Sequence, residues 1–333
     1  MTHCLIENRR LRMYYAAFFK KSIILQSALP FRGRHHKAVR NIFMFACILV
    51  AWFMVSALIG ISQDRSFDYF GLASPGDKIK LFAPGIVSMK DFKEYSLAIS
   101  PIGDEVFFSR GENWPKTRIM HIRRIGSRWT APKVAEFSTD CYASEPAFSP
   151  DGKYLYFSSS KGMQEINNYS IWRVKKTSSG WSEPRRVIDV ADPTIWEFHP
   201  TVTRDSVYFC KWNSNQNTGS IYKSTYSGDI YSIPKKVALF NVQSSDINPF
   251  VDPHGNYLIV SSKVESSATG SNVYVFYKKG DASWSDPVRF GDALNTKADD
   301  DSSDVSPDGK FLFIYKQGDI YWMETKKIIH TVR

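Results

Sequence analysis

Two stretches of this 333-residue chain nearly repeat each other: EPAFSPDGKYLYFSSS from Glu145 and SDVSPDGKFLFIYK from Ser303. Each reads as a strand, a Pro-Asp-Gly turn and a second strand that alternates aromatic and aliphatic residues. The turn chemistry is explicit. Asp151 and Asp308 can bond their own loop backbone, and Gly152 and Gly309 can take the positive φ that closes the turn. Looser copies fill the gaps: LAISPIGDEVFFSRG from Leu97, PTVTRDSVYFCKW from Pro200 and PFVDPHGNYLIVSSK from Pro249. The unit thus recurs about every fifty residues, the spacing of a propeller blade, and five copies predict an all-β fold, a single β-propeller of five four-stranded blades over residues 70–333.

A third strand follows each copy: RIMHIRRI from Arg118, YSIWRVKK from Tyr169, GSIYKSTY from Gly219, SNVYVFYKK from Ser271 and GDIYWMET from Gly318. A fourth is introduced by an aromatic-x-x-Pro step at Trp129/Pro132, Trp181/Pro184, Tyr231/Pro234 and Trp284/Pro287. Proline suits an outer edge strand, where its missing N–H breaks no ladder. The fifth copy has no fourth strand, but an orphan segment of the same character, DKIKLFAPGIV from Asp77, precedes the first copy. Its expected place is the last blade, where it would close the ring and remove two exposed sheet edges.

SPDGKYLYF and SPDGKFLFIY resemble the WD40-like repeat of TolB-type bacterial propellers. The resemblance extends to FAPGIVS near Phe82, LNTKADDDSSDVSPDGK from Leu294 and GDIYWMETKKII from Gly318, and covers nearly all of residues 70–333. It implies a propeller of the bacterial envelope and leaves activity open, since one fold hosts many functions. Two turns depart from the pattern. Arg204 stands in a turn without Pro or Gly, and His254 replaces the usual Asp.

Charge is distributed unevenly. The chain carries a formal +10, yet residues 1–41 hold nine Lys or Arg against the single acid Glu7, leaving about +2 for the rest. A basic balance confined to the tail argues against a nucleic-acid groove on the folded domain, so no nucleic-acid partner is expected. Residues 42–62, IFMFACILVAWFMVSALIGIS, contain no charged side chain and are long enough to span a bilayer core as a helix. The basic flank predicts a cytoplasmic tail and a propeller in the periplasm or exterior, held at the inner membrane by a signal-anchor; cleavage near Ser62 would instead release it to the periplasm.

In a four-stranded blade the innermost strand lines the axis, and the loops leading into it gather on one face, so chemistry is sought there. The residues just before the inner strands are Glu94 and Ser96, Glu145, Glu197 and His199, Asp246 and Asn248, then Asp300, Asp301 and Ser302. One expectation makes Glu94, Glu145, Glu197, His199, Asp246, Asn248, Asp300 and Asp301 the ligand-binding mouth of the channel. The competing one has these groups bonding each other, loop amides and channel water. A cation held by Asp300, Asp301, Asp304, Glu145 and Glu197 would be calcium, but ADDDSSD does not reproduce the EF-hand spacing, and no cofactor is expected.

Hydrolase, nucleotide and zinc signatures are missing: there is no G-x-S-x-G, G-x-x-x-x-G-K-[ST], H-E-x-x-H or C-x-x-C. Cys141 and Cys210 belong to the propeller, where free thiols are the commoner outcome and a disulfide between neighbouring blades is the alternative. The favoured function is non-enzymatic: a membrane-tethered binding or scaffold propeller recognising a protein, peptide or glycan. The alternative is a glycan-active hydrolase using two axial carboxylates at a defined separation.

Overall fold

The computed structural model describes residues 67–162, 169–188, 192, 194–264, 270–281, 283–295 and 301–327, the side chains of 301–303 and 327 excepted. The basic tail, the apolar segment 42–62 and Asp300 lie outside these residues. Among those described, no helix is long and apolar enough to cross a membrane.

Five antiparallel sheets make up the ring, four of them with their inner, second, third and outer strands in sequence order along the chain. Blade 1 comprises Lys93–Ile99, Glu105–Gly111, Thr117–Ile125 and Lys133–Val134; blade 2 comprises Ala143–Phe148, Tyr154–Ser159, Ser170–Lys175 and Arg185–Arg186. Blade 3 comprises Ile195–Val202, Ser206–Asn213, Thr218–Ser227 and Lys235–Lys236; blade 4 comprises Ser244–Val251, Tyr257–Val264, Asn272–Tyr277 and Val288–Arg289. Blade 5 contributes Asp301–Val305, Phe311–Lys316 and Asp319–Glu324, and its outer strand is Lys80–Leu81 from the start of the propeller. The orphan segment therefore closes the ring as its sequence character implies. Lys80 lies opposite Trp322 and Leu81 opposite Tyr321.

The second strands explain where the core sits. Side chains alternate across a strand, and a blade inside a ring packs a neighbour on each face, so both sets must be apolar. In blade 1, Val106 and Phe108 face blade 5 and the segment Phe82–Val87, while Phe107 faces blade 2 with Leu155 and Phe157. In blade 3, Val207 and Phe209 meet Tyr156 and Ile171 of blade 2, and Tyr208 and Cys210 meet Leu258 and Val260 of blade 4. Ile259 and Val275 then meet Leu312 and Ile314. Five apolar clusters, one per blade interface, replace a single central core.

The outer strands are two residues long, and the aromatic-x-x-Pro step has a function beyond starting them. Its aromatic residue folds back on the third strand, pairing Arg124 with Trp129, Lys176 with Trp181, Tyr226 with Tyr231 and Lys278 with Trp284. From there it reaches the preceding blade. Trp181 lies 5.7 Å edge-on to Phe107, the Tyr231 hydroxyl is 2.8 Å from that of Tyr156, and Trp284 packs on Tyr208. Trp129 does the same with Phe70 ahead of the first blade.

Candidate functional site

Every inner strand shifts register once, between Tyr95 and Leu97, Ser144 and Ala147, Phe198 and Thr201, Ile247 and Phe250, and Asp301 and Ser303. In three blades the bulged residue precedes a proline and has positive φ: Glu145 at 57°, His199 at 54° and Asn248 at 51°. Left-handed backbone is uncommon for non-glycine residues, and a β-bulge re-aims the side chain it carries. The bulges put a polar layer around the axis.

That layer is internally bonded. Glu145 accepts from Ser158 Oγ at 2.5 Å and, across the blade boundary, from the His199 amide at 2.7 Å. Its own amide donates to Ser109 Oγ of blade 1 at 2.8 Å. Asp304 of blade 5 accepts from Ser96 Oγ and the Leu97 amide of blade 1, both at 3.3 Å. Burial pushes the carboxyls of Glu145 and Asp304 up to about 7, and pushes the His199 imidazole, 3.9 Å from Glu145, down to about 3. His199 is therefore neutral. Asn248 is half-buried at its bulge.

The acids one step earlier in the strands are not solvated either. Glu94 is wholly buried and clamps the segment before blade 1: it takes the Arg110 Nε at 2.7 Å and the Met89 amide at 3.2 Å, while Arg110 Nη2 donates to the carbonyls of Ile86 and Val87. Burial still raises its carboxyl. Glu197 is wholly buried, 3.4 Å from Lys211 Nζ across the strand pair, and burial lifts it to about 7. Asp246 accepts from Ser262 Oγ at 2.6 Å and is also raised by burial. Asp301 contributes backbone to the inner strand of blade 5. The structure thus brings Glu145, His199 and Asp304 to the axial layer, fastens Glu94 and Asp246, and leaves both buried Glu197 oxygens without a hydrogen bond beside Lys211.

Open space lies at the other end of the inner strands. A cavity of about 660 Å³ is formed by the last residues of all five inner strands and the turns that follow them, with walls including Phe148, Phe250, Pro150 and Pro253 and with Asp304 among its lining. That volume falls within the roughly 300–1,000 Å³ common for ligand sites. Of the carboxyls lining it, Asp151 is bonded to Ser149 Oγ and the Lys153 amide, and Asp252 to the amides of His254 and Asn256. Both serve their own turns, Asp151 as the Pro-Asp-Gly pattern implies and Asp252 from the place before its proline. Gly152 and Gly309 have φ of 69° and 71°. Neither Glu145 nor Glu197 lines the cavity. Among the described residues no group of three or more His, Cys, Asp or Glu is arranged to hold a metal ion, and Cys141 and Cys210 are free thiols.

The repeat could not have located this cavity by its acids. Its signal was instead the turn itself, since the residues after each inner strand are the ones that border it.

Fold and cavity together define a five-bladed propeller with an axial ligand-sized space. Solved structures share the fold: TolB from Acinetobacter baumannii matches at 13% identity and a TM-score of 0.44, over 71% of this chain and 55% of that one. A putative TolB from Agrobacterium tumefaciens matches at 16% identity and 0.45, over 66% of this chain and 69% of that one. An alpha-L-arabinofuranosidase from Lactobacillus brevis matches at 13% identity and 0.47, over 72% and 90%. The chain is TolB-like in this sense, and spans little more than half of the Acinetobacter protein. No protein-family model and no curated protein matches it.

Proposed function

We propose that this chain is a non-enzymatic binding propeller that takes a segment of a partner protein or peptide into its axial cavity, held at a bacterial membrane by residues 42–62 with the propeller outside the cytoplasm. The observation that carries the reading is the cavity itself: five turns and five strand ends border about 660 Å³ with walls that mix proline, aromatic and polar side chains. Such a space, formed without rearrangement, suits capture of a ligand. Hydrolysis of a glycosidic bond needs two carboxyls at a set separation. Here Asp304 is the lining carboxyl not engaged in a turn, and Glu145 and Glu197 are buried away from the cavity.

The test is capture of partners from membranes by the full chain, beside Ala147→Phe, which places a ring in the cavity from a half-buried lining position. Loss of the captured partner with an unchanged melting temperature is expected. Equal capture by the blocked variant would move the binding surface elsewhere, and turnover of a glycan by the parent chain would reinstate the hydrolase.

A further inference from the structure

Two side chains of the cavity have no part in the turns that present them. In blades 2 and 5 the residue after the turn proline is Asp151 or Asp308, and each bonds the preceding serine, Ser149 or Ser306, at 2.7 Å. Blade 4 has His254 at that place. Its turn is capped one step earlier by Asp252, which accepts from the amides of His254 and Asn256 and from Asn256 Nδ2 at 2.8 Å. In blade 3, Arg204 replaces the proline found at Pro101, Pro150, Pro253 and Pro307. There Asp205 bonds Thr203 Oγ1 at 3.1 Å and Ser206 Oγ at 2.6 Å, so that turn too is satisfied without Arg204. Both side chains are exposed, both line the cavity on neighbouring blades, and neither makes a hydrogen bond or ion pair with the described residues.

The lining carboxyls cannot balance them. Asp151 and Asp252 are spent on turns, Asp151 also lies 3.1 Å from Lys153 Nζ, and Asp304 accepts from Ser96 and Leu97. The unspent polarity of the cavity is thus cationic and donor-rich on the blade 3 and blade 4 side, beside walls of proline and aromatic carbon.

Resting on the reading of the cavity as the ligand site, we infer that it receives the carboxylate end of a peptide, with Arg204 and His254 taking the carboxylate and the apolar wall taking the last side chains. The guanidinium fork matches a carboxylate in two parallel bonds. Proline supplies no amide N–H, so each turn proline presents carbon to the cavity where an amide donor would otherwise stand. A peptide end brings a single anion on a carbon-rich chain, which is the polarity the cavity presents.

The experiment uses the full chain and a positional-scanning tetrapeptide library ending in Leu or Phe, offered once with free carboxylates and once amidated. Preferential retention of the free acids by about tenfold or more is expected, as befits a charge-assisted pair. Arg204→Pro with His254→Asp, the residues the other blades carry, should erase the preference while leaving melting unchanged. Three results would overturn the inference: equal retention of acid and amide, a preference that survives in the double variant, or competition by inorganic phosphate or a uronic-acid oligosaccharide as strong as by the peptide acids. Equal retention that Ala147→Phe abolishes would refute only the carboxylate role. Retention of neither library, with no partner captured from membranes, would remove the binding reading as well.

Discussion

Glu145→Gln should stabilise the propeller at pH 8 and leave it nearly unchanged at pH 4. The Glu145 carboxyl is buried at the bulge of blade 2, and the nearest ring, His199, stays neutral because burial holds it down to about 3. Burial lifts the carboxyl from its ordinary 4.5 to about 7 in the fold. Between those values the folded chain binds the proton and the unfolded chain releases it, so stability falls as pH rises and the full loss is present above about 7. A displacement of ~2.5 pH units corresponds to about 3 kcal/mol. Glutamine cannot ionise, yet its carbonyl oxygen can still accept from Ser158 Oγ and the His199 amide, the two bonds the carboxylate makes. Glu197, also lifted to about 7, weakens both proteins alike, whereas Asp304 is raised partly by the Glu145 charge, so its relief in the variant adds to the gain at pH 8. At roughly 2–4 °C per kcal/mol for a ring of this size, the variant should melt about 6–12 °C higher at pH 8. Paired thermal melts at the two pH values decide it. An equal offset at both, or a parent chain that melts higher at pH 8, would show that Glu145 is ionised in the fold and would refute the reasoning.

Arg110→Met should cost about 3–5 kcal/mol, because it strands the wholly buried Glu94 with only the Met89 amide. Urea denaturation at pH 7 measures it, and Glu94→Gln added to Arg110→Met should recover part of the loss; no recovery would mean that Arg110 acts through the Ile86 and Val87 carbonyls instead. Phe82→Ala should cost about 3–5 kcal/mol, since Phe82 is fully buried against Phe313 and Trp322 where the first strand of the ring meets the last. A loss below about 1 kcal/mol in the same assay would show that ring closure contributes little to stability.

The ring was legible because its turns are. Pro-Asp-Gly at blades 2 and 5 marks a strand pair by chemistry local to four residues, and the alternation around Phe107, Tyr156 and Phe209 marks strands buried on both faces. The orphan DKIKLFAPGIV was legible for the same reason, as an outer strand without its blade. What the sequence could not reveal is where each acid ends. Glu94, Glu145 and Glu197 look alike in a repeat alignment, but a bulge lies between the position of Glu197 and that of Glu145, and it turns one side chain into its own strand pair and the other towards the axis. A one-residue difference in register exchanges the faces of a strand. Nor does any local pattern announce Arg110, whose partners are sixteen to twenty-four residues away.

The two ends of the inner strands consequently do different things with polar residues. On the side where the strands begin, carboxyls are numerous and buried: Glu94 is bonded to Arg110 and Asp246 to Ser262, while Glu197 lies beside Lys211 without a hydrogen bond. Glu145 at the bulge of blade 2 and Asp304 just past the bulge of blade 5 bond backbone amides of the next blade, which ties neighbours together. Past the bulges the strands carry Ala147, Phe250 and Val251 into the cavity, and the turns cap themselves. A blade can therefore change the outer residues of its turn without disturbing the ring, provided some Asp still caps it, as Asp205 and Asp252 do. Blades 3 and 4 have made that change, and the side chains it released are the two that face the cavity uncommitted.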